Sequence, residues 1–154
     1  MLTKTVNEFL RTRVFVSVAT CDLRGSPSAA PKLILKIDGN FIFLVDYALS
    51  KTYDNLKCNP RISLSFSDSD NLKGYQINGS VELIEQGRIY EEFSVELNQK
   101  EVSLSTDRII KGINSGKHHE NFEVAIPKKF VIFKVKIEEV VEILYGGGLK
   151  REKA

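Results

Sequence analysis

The stretch S-K-T-Y-D-N-L-K-C-N-P-R, residues 50–61, is the most informative part of the chain and decides its fold. It follows an apolar strand at residues 41–45 and a short loop that ends at Ser50, a favourable residue for a helix N-cap. Lys51 and Thr52 then open a short helix, which the Asn-Pro pair near the end of the stretch stops because proline cannot continue a helix. Free N–H groups, the positive end of the helix dipole, an ammonium group and hydroxyls meet at this turn, which therefore predicts an anion-binding site.

The composition is that of an ordinary globular domain. The chain has 154 residues, of which 42% are hydrophobic and 27% charged, and its formal net charge is +2. This size allows one domain with its own core. The small net charge and the lack of arginine-rich runs argue against a nucleic-acid partner, and the apolar runs are too short to span a membrane. The N-terminus does not resemble a signal peptide and the two cysteines are far apart, so we expect a cytoplasmic protein.

Six segments have the alternation or the β-branched and aromatic content of strands. Asp38-Gly39, between the second and third segments, is a strong hairpin signal. Gly79, in the fifth, marks a bulge, a bend or the close approach of another backbone or a ligand. The segments are residues 14–20, 28–37, 41–45, 61–67, 75–84 and 129–137, and the last can continue to residue 144.

The second strand has two alternating sets of residues. We expect the set without lysines to face the core, namely Leu33, Leu35 and Ile37. The opposite face then carries Lys32, Ile34 and Lys36.

Helices are predicted at residues 5–11, 51–58 and 85–97, and a further one around 106–113. Strands in this number, mostly joined by hairpins, are expected to close into a small antiparallel barrel because closure removes sheet edges. We expect a single domain over residues 1–145, followed by a mobile C-terminal tail over residues 146–154.

Three patches, in this order along the chain, carry a resemblance to a known family. They are A-A-P-K-L-I-L-K with the Asp-Gly hairpin and F-I-F-L-V-D, then S-K-T-x-x-N-L-x-x-N-P-R, and then G-Y-Q-I-N-G-S-V-E-L. Together they resemble the pyridoxamine 5′-phosphate oxidase-like FMN-binding split barrels, and the second patch is the most specific. The resemblance implies an α+β, mainly β fold, a six-stranded antiparallel split β-barrel of Greek-key type with short flanking helices.

The resemblance also implies FMN as the cofactor and a homodimer with its sites at the subunit interface. The second strand would offer backbone groups to the flavin ring, the end of the third strand would lie beside it, and the first turn of the helix would bind the phosphate. No metal ligands and no catalytic residue are identified. The implied cofactor-binding residues are Ala30, Pro31, Lys32, Leu33, Ile34, Val45, Asp46, Ser50, Lys51, Thr52 and Tyr75.

The chain departs from the classical oxidases at several positions. Those enzymes have an arginine at the position of Ala30, a lysine near Leu35 and an arginine-lysine pair at Lys51-Thr52. They also end with a tryptophan and arginine motif, and this chain has no tryptophan. These departures argue against oxidase activity on pyridoxamine 5′-phosphate itself.

Several side chains have two interpretations. Lys32 is either an exposed strand lysine or a cation that favours the N1–C2=O edge of a reduced flavin. Arg61 closes the helix–strand corner or bonds a phosphate, and Tyr75 lies in the core or near the cofactor; we favour the corner and the core. Tyr47 covers the ring or faces the partner subunit. His118-His119 is favoured as a polar loop pair over a metal site, because adjacent histidines rarely converge on one ion.

The functional expectation is an FMN-dependent oxidoreductase that transfers hydride or electrons between a small-molecule substrate and FMN, the cofactor supplying the chemistry. The alternative is a non-catalytic protein that binds or senses a flavin, a deazaflavin or haem. The missing oxidase residues favour this alternative.

Overall fold

The computed structural model of the protein describes residues 4–114 and 129–153. The chain forms two compact units, Met1–Glu85 with Phe130–Ala154, and Gln86–Lys129. The first unit holds the helices α1 (Lys4–Arg11) and α2 (Lys51–Cys58) and the strands β1 (Phe15–Cys21), β2 (Pro27–Asp38), β3 (Phe41–Asp46), β4 (Arg61–Asp68), β5 (Lys73–Ile84), β6 (Val131–Ile143) and β7 (Leu149–Lys153). The second unit holds α3 (Arg88–Asn114).

Six of the strands close into an antiparallel barrel. The order in the sheet is β3-β2-β1-β4-β5-β6-β7, and an additional pairing of β3 with β6 closes the ring. The chain runs through β1, β2 and β3 as a meander and then returns through α2, which allows β4 to pair with the free edge of β1. This is a Greek-key connection, so the predicted six-stranded split barrel is confirmed.

The barrel interior is filled by the apolar faces of all six strands, and two helices contribute to the same core. Val6 and Leu10 of α1 and Leu56 of α2 belong to the cluster of buried residues. The predicted bounds of α2 are confirmed, because Ser50 precedes the helix and Asn59 is its C-cap. Within the described residues, no helix is long and apolar enough to cross a membrane.

The predicted facing of β2 is confirmed at Ile37 but is wrong at Leu33, Ile34 and Leu35. The pairing of β2 with β3 shifts its register between Ile34 and Lys36, as in a β-bulge. A bulge adds one residue to one strand and changes which side chains face the core. Ile34 and Ile37 therefore both belong to the core cluster, whereas Leu33 and Leu35 are buried outside it.

Two predicted segments near the end of the chain also differ from the structure. The predicted helices at 85–97 and 106–113 are parts of one continuous helix, α3, which begins at Arg88 and has no glycine or proline between Gly87 and Gly112. Residues 149–153, predicted as part of a mobile tail, form β7 and pair with the end of β6. Gly146 and Gly147 have φ values of 83° and 87° and form the turn before β7, a conformation that glycine adopts without strain.

Candidate functional site

The first turn of α2 is the candidate anion site. Leu49 enters it with a φ of 46°, which is unusual for a residue other than glycine. Ser50 occupies the N-cap position, but its side chain makes no capping hydrogen bond. Ser50 and Lys51 are exposed, and the first-turn N–H groups of a helix have no acceptors within the helix. This end of α2 therefore presents a hydroxyl, an ammonium and backbone donors to an incoming anion.

Thr52, in the same helical turn, differs from Ser50 and Lys51 in its exposure. Its side chain is fully buried, and its hydroxyl lies 3.4 Å from the Ser28 hydroxyl near the start of β2. One turn later Asn55 donates to the Thr20 hydroxyl at 3.1 Å. Asn59 donates to the backbone carbonyl at the end of β1 at 3.0 Å. These side chains fix α2 against β1 and β2, so the anion site has a rigid base. The available sequence signal was the pair of asparagines four residues apart, Asn55 inside α2 and Asn59 at its C-cap.

The turn between β1 and β2 lies beside the same end of α2. Asp22 accepts hydrogen bonds from the backbone N–H groups of Arg24 at 2.9 Å and Ser26 at 2.8 Å. The Ser26 N–H has the largest effect in lowering the pKa of Asp22, and the charges of Lys51 and Arg24 add to it. The Asp22 carboxylate therefore interacts electrostatically with Lys51. The sequence did not reveal this interaction, because Asp22 is 29 positions away from Lys51.

Part of β2 next to this corner has a strand partner on one side only. β1 pairs with β2 from Pro27 to Leu33, whereas β3 pairs with it only from Leu33 to Asp38, because β3 ends at Asp46. Residues 27–32 of β2 therefore have no strand partner, within the described residues, on the side where β3 pairs with residues 33–38. In the part of the chain that the structure describes, the backbone groups of Pro27 to Lys32 on that side are unpaired. An unpaired strand edge offers N–H and C=O groups to a ligand.

Of the two interpretations of Lys32, the exposed strand lysine is wrong. Lys32 is 5% exposed, and its ammonium lies 2.6 Å from Oδ1 of Asp46, which is 1% exposed. Oδ1 also accepts the Ala48 N–H at 3.1 Å, while Oδ2 is buried without a hydrogen-bond partner. Lys32 and Asp46 follow the cross-strand pair Leu33–Val45 and extend the interior face that begins at Ile34. The structure thus brings the side chains of two predicted site residues together as a buried ion pair.

The other predicted residues occupy varied environments. Ala30 is half-buried and Pro31 is exposed, on the open edge of β2. Tyr75 is in the core and stacks on Phe66 at 5.2 Å between ring centroids, as the core interpretation predicted. Arg61 pairs with Glu138 at 2.7 Å.

Two further side chains had open interpretations. Tyr47 packs edge-on against Phe130, with 6.4 Å between ring centroids. The His118-His119 pair lies outside the described residues. Among the residues that are described, no group of three His, Cys, Asp or Glu side chains is placed to hold a metal ion.

The donors at this corner fit a phosphorylated cofactor. A phosphate needs N–H groups, hydroxyls and a cation, and the first turn of α2 supplies all three through Ser50, Lys51 and the backbone. Lys51 does not give the bidentate grip that an arginine at its position would give. A flat ring next to the phosphate would meet the unpaired edge of β2, whose Ala30 and Pro31 carry no bulky polar side chain. The residues present therefore suit a nucleotide with a flat ring.

Several proteins of known structure have a similar fold. HupZ from Group A Streptococcus is 21% identical over 96% of this chain and 98% of its own, with a TM-score of 0.65. A pyridoxamine 5′-phosphate oxidase-related, FMN-binding protein from Nostoc punctiforme is 11% identical over 100% and 98%, with a TM-score of 0.58. HutZ, the haem storage protein from Vibrio cholerae, is 16% identical over 97% and 93%, with a TM-score of 0.61.

Sequence comparison defines the family. No curated protein matches the chain. The family model described as pyridoxamine 5′-phosphate oxidase matches residues 2–143, which is nearly the whole chain. The protein therefore belongs to the pyridoxamine 5′-phosphate oxidase family.

Proposed function

We propose that this protein binds FMN and is an FMN-dependent oxidoreductase that exchanges electrons with a small-molecule substrate. The observation that carries the proposal is the unpaired edge of β2, next to the exposed Ser50 and Lys51 at the start of α2. The family and its FMN-binding member from Nostoc punctiforme support the choice of cofactor. Bound FMN would supply two-electron chemistry at its N5 position.

The roles of the chain's own residues follow from their positions. Ser50 and Lys51 would bind the phosphate, and the backbone from Ala30 to Ile34 would orient the ring. Thr52 would act indirectly, by fixing the first turn of α2 against Ser28. The departures from the classical oxidases at Ala30 and Lys51 favour a substrate other than pyridoxamine 5′-phosphate.

The proposal is tested by purifying the protein and recording its visible spectrum. We expect a flavin spectrum, either as isolated or after addition of micromolar FMN, together with a rise in melting temperature. Reduction by NADH or NADPH without oxygen would then identify an oxidoreductase. A protein that neither changes the FMN spectrum nor gains thermal stability from FMN would contradict the proposal.

The phosphate role of Lys51 gives a sharper prediction. Lys51→Ala is expected to weaken FMN binding about tenfold, because a charge-assisted hydrogen bond is lost, and to change riboflavin binding less than about twofold. Lys57→Ala is the matched control, since Lys57 lies in the last turn of the same helix and pairs with Asp54 at 2.8 Å. Fluorescence titration with both flavins measures the two affinities. If the affinities for FMN and riboflavin fall by the same factor, Lys51 does not bind the phosphate. Thr52→Ala is unsuitable because it disturbs a buried contact.

We also propose that the protein is a homodimer, as the resemblance implies. A groove of about 650 Å³ lies on the outer face of the barrel, with Ala19, Ser63 and Asn78 among its lining residues. Phe15, on the same outer face of β1, is 57% exposed. Aromatic residues are enriched in protein–protein contacts, and this outer face is therefore the proposed interface. Sedimentation equilibrium distinguishes the dimer from a monomer.

Non-catalytic binding of haem is the second candidate function. The similarity to HutZ, a haem storage protein, favours it. Haem titration monitored by the Soret band tests this candidate, and replacement of the chain's only two histidines, His118 and His119, would test whether they are ligands. Binding of haem without any binding of FMN would replace the first proposal by this one. A deazaflavin is tested by the same spectral titration and melting-temperature measurement as FMN.

A further inference from the structure

The buried ion pair of Lys32 and Asp46 is unused by the proposed function. Lys32 is the one buried cation in the described residues, and its ammonium is 2.6 Å from the carboxylate. Arg61–Glu138, an ion pair of similar length at 2.7 Å, is exposed. Charges interact far more strongly in the interior than at the surface, because water no longer screens them.

The two charges of this pair compensate each other, and few other groups interact with either charge. Asp46 has one further hydrogen bond, from the Ala48 N–H, and its Oδ2 has none. Each partner is thus the main source of compensation for the other. Removal of either one would leave a net charge inside the barrel wall.

The pair lies at the point where the unpaired edge of β2 begins. β3 pairs with β2 as far as Leu33, and Lys32 is the next residue towards the open edge. A lone cation at this place would favour the more negative, reduced form of a ring bound along that edge, whereas a neutral pair would not. We infer that Asp46 neutralises Lys32 and thereby sets the reduction potential of the bound flavin. This inference rests on the proposed function.

The test measures the midpoint potential of the flavin-loaded protein. Asp46→Asn is expected to raise the ratio of affinities for reduced over oxidised flavin about tenfold, which is about 30 mV for a two-electron couple. Lys32→Met is expected to lower the ratio by a similar factor. The double variant Lys32→Met/Asp46→Asn, which carries neither charge, should lie within about twofold of the wild type. Glu138→Gln is the control, because it removes a carboxylate from an exposed pair of similar length.

The outcomes separate the inference from the function on which it rests. Opposite shifts of the two single variants, with recovery in the double variant, support the inference. Shifts of the same sign, or no shift, in protein that circular dichroism shows to be folded would overturn it while flavin binding stands. If Asp46→Asn does not fold, the direction of the Lys32→Met shift decides. Failure of the wild type to bind any flavin would overturn both the proposed function and the inference.

Discussion

Gly79→Ala is expected to lower the free energy of unfolding by about 3 kcal/mol, at the upper end of the usual cost of overpacking. A β-carbon at residue 79 would overlap the carbonyl oxygen of Lys136 and lie 3.1 Å from its carbonyl carbon. Both atoms belong to the backbone of β6, so no side-chain rotation can make room. The register of β5 against β6 shifts between Asn78 and Gly79, so of the alternatives that the glycine left open the structure shows a bulge and the close approach of another backbone.

Gly74→Ala, on the same strand, is the matched control for Gly79→Ala. Its β-carbon would lie 3.3 Å from Cδ1 of Ile143, the flexible end of a partly exposed side chain. This side chain can move, so we expect a change within about 0.5 kcal/mol. Urea denaturation of the two variants and the wild type measures both effects. Equal losses at the two positions would mean that backbone overlap is not the cause.

The sequence was sufficient for the elements whose signals are local. The Asp38-Gly39 hairpin, the start of α2 after Ser50 and its end at Asn59-Pro60 depend on residues next to each other. The order of these elements along the chain was then enough to predict the barrel. The same reasoning failed between residues 97 and 106, where no helix was predicted even though no breaking residue is present. It also failed at β7, whose strand depends on pairing with β6 rather than on its own charged sequence.

The Lys32–Asp46 pair shows why much of the site could not be predicted. Counting back from the hairpin at Asp38 and Phe41 without interruption would place Lys32 opposite Tyr47. The bulge between Ile34 and Lys36 moves the register by one residue, which brings Asp46 opposite Lys32 instead. Nothing in the local sequence specifies this bulge, because it depends on packing across the closed barrel. The open edge of β2 likewise follows from where β3 stops pairing, a property of the sheet and not of either strand.

Lys32→Met is expected to lower the free energy of unfolding by about 3–5 kcal/mol. The change preserves most of the apolar stem of the side chain, so the loss comes mainly from the charge. Asp46 would remain 1% exposed with only the Ala48 N–H as a donor. A buried carboxylate without a cation cannot recover its lost hydration. Urea denaturation at neutral pH measures the loss, without added flavin so that ligand binding does not stabilise the native state.

The double variant Lys32→Met/Asp46→Leu decides whether this loss reflects a missing charge partner or a missing side chain. With both charges gone, the site becomes apolar and the Ala48 N–H can turn to water, because Ala48 is exposed. Stability should return to within about 1 kcal/mol of the wild type, or exceed it. Arg61→Met breaks an exposed pair of similar length, whose side chains are 62% and 37% exposed, and should cost less than about 1 kcal/mol. If the double variant is as unstable as Lys32→Met alone, the loss comes from the missing side chain and not from the unpaired charge of Asp46. Recovery would mean that the loss in Lys32→Met comes from the unpaired carboxylate of Asp46. Each of the two charges would then require the other in the interior of the barrel.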